Sequence, residues 1–144
     1  MKVASILAEK GDTVATISPS AGVHELVDVL FINGIGAVVV SDDGANVSGI
    51  VSERDVVKAL AAGRDLKATS VAEVMTTEVF TATVDTTVGE LMARMTQSRI
   101  RHIPIVNEDV QLVGIVSIGD VVKRRLDELE DERAALSSYI TQGG

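Results

Sequence analysis

The chain repeats itself. The stretch "GIVSERDVVK" at 49–58 returns as "GIVSIGDVVK" at 114–123 with eight of ten residues unchanged, and the 65-residue offset runs along the sequence without a gap. Val14 and Thr16 meet Val79 and Thr81; Val23, Glu25 and Leu26 meet Val88, Glu90 and Leu91; Ile35 meets Ile100. A repeat of this length is one supersecondary unit copied, and two copies bury their apolar faces against each other. With 144 residues, 46% of them hydrophobic, the chain holds one compact domain or two small fused ones.

Each copy reads alike. A short lead segment comes first, "VASIL" and later "VAEVM". Val23, Leu26, Val27, Leu30 and Phe31 recur at i, i+3, i+4, i+7 and i+8, which predicts a helix closed by Asn33-Gly34. Val88, Leu91, Met92 and Met95 do the same in the second copy, where Thr87 and Glu90 fit a capping box. The β-branched runs "IGAVVV" and "IRHIPIV" predict strands, each followed by a polar turn and a partner strand, "VSGIV" or "LVGIV". These near-continuous apolar runs predict hairpins buried on both faces, with helices beside them.

A second helix is expected to start at Ser52 and at Ser117, and "AAGRDLKATS" at 61–70 links the copies. The domain reading is therefore repeat 1 over 1–63, repeat 2 over 64–127, and a helical extension over 128–144. In that extension Val122, Leu126, Leu129, Leu136 and Ile140 follow alternating spacings of 4 and 3, with Arg133 at the one polar seam position. Such an amphipathic helix needs a partner: its own domain, or a second subunit.

Composition narrows the function. The net charge of −8, from 21 acidic and 13 basic residues, argues against nucleic acid and against anionic membrane surfaces, both of which are gripped by surplus Lys and Arg. Aromatics at 2% supply no stacking platform for single strands. The absence of cysteine removes disulfides, thiolate metal sites and Cys nucleophiles. "MKVASILAEKGD" has too short an apolar run for a signal peptide, and no stretch nears the roughly 20 apolar residues of a membrane span, so a soluble, cytoplasmic protein is expected. "GIGA" at 34–37 lacks the third glycine of a dinucleotide fingerprint and precedes a strand; no P-loop, zinc site or catalytic triad stands out. Nothing resembles an activated nucleophile or a metal cage, so no enzyme is expected.

The Ser-x-x-Asp pairs, Ser52/Asp55 and Ser117/Asp120, read first as capping boxes. They also suit a ligand. A helix N-terminus presents free amides, and an ionised Asp can accept two hydroxyl hydrogens from a ribose diol. Gly119, inside the first turn, costs about 1 kcal/mol relative to Ala and is tolerable where a ligand approaches the backbone. Ile50, Ile115, Thr76 and Phe80 are equally readable as core or as an apolar wall for a planar ring.

Two tandem units, each β-α-β-β-α with "GIVSxxD" leading into the last helix, and "RHIPIV" on the strand before it in one copy, resemble a pair of CBS domains, a Bateman module. The resemblance covers about residues 3–127, and the chain is similar to stand-alone bacterial CBS-pair proteins. It implies an α+β fold, two units packed about a pseudo-twofold axis and often dimerised, with the C-terminal helix added. It also implies a regulatory role: binding AMP, ADP, ATP, NAD or S-adenosylmethionine in clefts between the units and signalling through a homodimer to a protein target, with no catalytic cofactor.

By the same resemblance Asp55 and Asp120 contact ribose, and Arg101 and His102 line the nucleotide cleft near phosphate. Their counterparts Gly36 and Ala37 carry no charge, whereas Arg54 stands opposite Gly119. The basic groups are thus traded between copies, which predicts either unequal sites or shared cations. A ligand-independent dimerisation protein is the competing reading.

Overall fold

The computed structural model describes residues 1–11 and 13–143. Its elements follow the order α1 (Val3–Lys10), β1 (Thr16–Ile17), α2 (Val23–Asn33), β2 (Ala37–Val40), β3 (Gly49–Ser52), α3 (Glu53–Ala61), α4 (Val71–Val74), α5 (Val88–Ser98), β4 (His102–Val106), β5 (Leu112–Ser117) and α6 (Ile118–Gly143). The fold is the expected α+β repeat with a long C-terminal helix. The lead segments "VASIL" and "VAEVM" are helical, and the strand that opens each unit lies downstream of them. That strand is β1 in the first unit and a single parallel bridge, Ala82 to Ile105, in the second.

In the first sheet β1 pairs parallel with β2, and β2 pairs antiparallel with β3, Ala37 opposite Ser52. The second hairpin has the same register, His102 opposite Ser117, with an irregularity at Ile105/Val106. All four residues of β2 are buried, whereas β3 alternates. The two-sided burial expected of both strands thus holds in full for β2 and for all of β4 but His102, and not for the second strand of either hairpin.

The cap residues place the helices. Thr87 Oγ1 accepts from the Glu90 amide at 3.1 Å while Glu90 Oε2 accepts from the Thr87 amide at 3.1 Å, the reciprocal box read from the sequence. Helix α2 ends where Gly34 turns left-handed, φ 61°. Only Val23, Leu26 and Leu30 of its predicted stripe are buried; Val27 and Phe31 face outward, Phe31 at 86% exposure. Met92 is the matching exception on α5. One residue per turn suffices to cover so small a sheet, which leaves the i+4 positions free.

Each core takes its lead helix from the other end of the linker arrangement. Val3 and Ile6 of α1 pack with Val88, Leu91, Met95, Ile103, Ile105, Val116 and Val121 of the second unit. Val71 of α4 packs with Ile17, Val23, Leu26, Leu30, Val38, Val40, Val51 and Val56 of the first. Main-chain bonds repeat the exchange: Val3 N–H donates to Thr86 O at 2.8 Å, and Val71 N–H to Ala21 O at 2.8 Å. The halves are therefore cross-braced, and their facing edges are held in fixed relation.

Candidate nucleotide cleft

Strand β3 delivers Ser52 to the N-terminus of α3. Asp55 Oδ2 accepts the Ser52 amide at 2.8 Å and the Ser52 hydroxyl at 3.3 Å. That clamp fixes the carboxylate above the first turn, and its second oxygen has no hydrogen-bond partner among the described residues. A cavity of about 440 Å³ opens against this helix end.

Ten of the residues singled out in the sequence border the cavity. Gly36 and Ala37 come from the start of β2, Ile50 and Ser52 from β3, and Arg54 and Asp55 from α3; Thr76, Phe80, Arg101 and His102 come from the second half. Arg101 immediately precedes β4, and it borders the cavity together with His102. Gly36 lies where an added Cβ would meet Glu53 Oε1 at 3.2 Å and His102 Cε1 at 3.5 Å. Phe80 is partly exposed and carries the Arg94 guanidinium 4.5 Å above its ring.

The other four lie elsewhere. Ile115, Ser117, Gly119 and Asp120 sit at the corresponding helix end, where β5 runs into α6. Asp120 Oδ2 accepts the Ser117 amide at 2.8 Å, as Asp55 does from Ser52, but here the Asp120 amide donates to Ser117 Oγ at 3.2 Å, whereas the Ser52 hydroxyl donates to Asp55. A Cβ at Gly119 would meet only Ser117 Oγ at 3.6 Å, ordinary contact. Burial would raise the Asp120 carboxyl, but hydrogen bonds from Lys10 and Ser117 hold it below the usual value.

Sequence reasoning missed two cations at the first cavity, Lys58 and Arg99. Lys58 lies one turn beyond Asp55 on α3. Arg99 was legible in the 65-residue frame: it stands where the first copy has Gly34. It adopts the same left-handed conformation, φ 53° against 61°, one of two non-glycine residues with positive φ among the described residues. With Arg54 and Arg101 the cavity gathers four cations against the carboxylates of Glu53, Asp55 and Glu78, in a chain of net charge −8. None of the four is in an ion pair among the described residues. The arrangement offers hydroxyl-accepting oxygen, an apolar wall and unpaired positive charge in one place.

His102 carries a pH signature. Burial and the nearby Lys10 ammonium disfavour its imidazolium and push its pKa below the ordinary 6.5, against the pull of Asp120 and Glu53. On acidification the unfolded chain therefore takes up the proton first. The group's stabilising contribution is complete above the ordinary value and is lost as pH falls toward the folded one. The urea midpoint is expected to drop between about pH 7.5 and about pH 5.5, and to drop less in His102→Asn; equal slopes would assign the effect to other groups.

The CBS domain family matches twice, over residues 10–62 and 71–127. A mitochondrial CBS domain-containing protein of Arabidopsis thaliana is 40% identical over 127 residues, 85% of this chain and 61% of that protein. The chain thus spans less than two thirds of that relative. The crystal structure of a CBS-domain containing protein from Agrobacterium tumefaciens superposes with a TM-score of 0.82 at 43% identity, covering 87% of this chain and 99% of that one. A CBS domain protein from Pyrobaculum aerophilum, complexed with AMP, superposes with a TM-score of 0.75 at 25% identity, covering 83% of this chain and 89% of that one.

Proposed function

Because the chain belongs to the CBS domain family, with two copies in tandem, we propose that it is a regulatory module that binds an adenosine-containing ligand in the cleft at Asp55. The observation that carries this is the cavity itself. It sets a half-free carboxylate at a helix N-terminus beside Ile50, Thr76 and Phe80, under Arg54, Lys58, Arg99 and Arg101. The carboxylate suits a ribose diol, the apolar wall a purine, and the cations a phosphate tail. The AMP held by the Pyrobaculum aerophilum relative supports the ligand class. No catalytic step is assigned to the cleft.

Isothermal calorimetry against AMP, ADP, ATP, NAD and S-adenosylmethionine tests the reading. Saturable heat with at least one of them is expected, and no heat with any would sink it.

Signalling through a homodimer is part of the same proposal. Leu126, Leu129, Leu136 and Ile140 of α6 are all exposed, Leu136 at 63%, so this helix does not fold back on its own domain. In a parallel pair Arg125 would face the partner's Glu130, which is attractive, and Arg133 at the seam would lie beside the partner's Glu132. Removing residues 128–144 is expected to raise the dimer dissociation constant by at least about tenfold, since burying each Leu side chain contributes roughly 1.5–3 kcal/mol. Sedimentation equilibrium reads this directly; an unchanged constant would move the dimer contact to the Val27 and Phe31 face.

A further inference from the structure

We infer that Lys10 decides which of the two clefts takes a ligand, by closing the second one from within. This rests on the binding role proposed for the first cleft. Lys10 Nζ donates to Asp120 Oδ2 at 2.7 Å and to the Ile115 carbonyl at 2.9 Å. Its chain therefore spans the gap between the end of β5 and the start of α6. In the first half the matching gap, between Ile50 and Asp55, is part of the open cavity.

The difference has a local cause. In the first half the Ile50 carbonyl accepts from the Thr76 amide at 2.9 Å, and the Ile50 amide donates to Thr76 O at 3.0 Å, so backbone satisfies backbone. The counterpart of Thr76 is Gly11, whose amide instead closes α1 by donating to Leu7 O at 2.8 Å. The Ile115 carbonyl is left for a side chain. Helix α4 stops at Val74, but α1 runs eight residues to Lys10 and carries the ammonium into the second cleft. The residue at this position in the first half is Met75, which has no charge.

A second contact tightens the closure. Glu9 pairs with Lys123 at 3.3 Å and with Arg124 at 3.8 Å. Lys123 is the counterpart of Lys58, one of the cations bordering the first cavity. The carboxylate that would take a sugar diol and the lysine that would take a phosphate are thus both engaged by consecutive residues of α1. The backbone bridge that would make the arrangement permanent is missing, so a side chain alone holds it.

Native mass spectrometry of the full chain with AMP, and with ATP as a second probe, tests the inference by counting. The wild type is expected to hold one nucleotide per chain, Lys10→Met two, Asp55→Ala none, and Lys10→Met with Asp55→Ala one. Lys10→Gln keeps a donor for the Ile115 carbonyl without the charge, and it is likewise expected to hold two, which keeps the count readable if Lys10→Met proves unstable. Two nucleotides on the wild type, or one on both Lys10 variants, overturns the closure and leaves the first cleft's role intact. No nucleotide on any variant overturns the binding role and the closure with it.

Discussion

Asp55→Ala is expected to weaken binding of an adenosine ligand by about a hundredfold while lowering stability by only about 1 kcal/mol. The two numbers have different sources. The stability cost is that of a helix cap: Asp55 Oδ2 accepts the Ser52 amide at 2.8 Å, and loss of such a cap costs about 1 kcal/mol. The binding cost comes from the bonds of an ionised carboxylate to a sugar diol. Hydrogen bonds to charged groups contribute roughly 1.5–3 kcal/mol each, and about 2.8 kcal/mol is a hundredfold. Calorimetry with AMP and a urea melt on the same variant separate the two. A melt shifted as expected with affinity unchanged would make Asp55 a cap and nothing more, and would favour a protein that dimerises without a ligand.

The control is Asp120→Ala. It removes an equivalent cap, but from a carboxylate that already holds Lys10 at 2.7 Å. Its stability cost should equal or exceed that of Asp55→Ala, with affinity at the first cleft little changed. Two Ser-x-x-Asp motifs would then differ in function because of what packs against them.

That contrast also marks how far the sequence could be read. The 65-residue period, the capping residues and the β-branched runs are local signals, and they placed α2, α3, α5 and both hairpins. Ten named residues border one cavity: Ser52 and Asp55 were legible as a helix end whose chemistry depends on its immediate neighbours, whereas Arg101, His102 and their counterparts Gly36 and Ala37 came only through the resemblance to CBS pairs. The exchange of lead helices was not legible. "VASIL" and "VAEV" are short apolar segments that bury equally well against either half, and only the packing of Val3 on Leu91 and of Val71 on Leu26 decides between them. Lys10 escaped for the same reason: it lies 110 residues from Asp120, and nothing in its sequence neighbourhood points there. Val27 and Phe31 fit the helical period but face outward, since periodicity gives a helix face and not its occupant.

Arg99→Gly should move stability and binding in opposite directions. Arg99 closes α5 at φ 53° and ψ 43°, a left-handed conformation that costs an L-residue roughly 1–2 kcal/mol; Gly34 closes α2 at φ 61° and ψ 38° without that cost. Part of the relief is offset by the greater freedom of glycine in the unfolded chain, so the variant is expected to gain about 0.5–1 kcal/mol. The same substitution removes one of the four cations at the cavity, and affinity for ATP is expected to fall about tenfold while affinity for adenosine stays the same. Arg99→Asn, which tolerates the left-handed turn without the charge, should reproduce the loss of ATP affinity. A strained arginine where the sister copy has an unstrained glycine is best understood as positioned for a charged ligand. If ATP and adenosine weaken together in both variants, Arg99 shapes the cleft and does not read the phosphate.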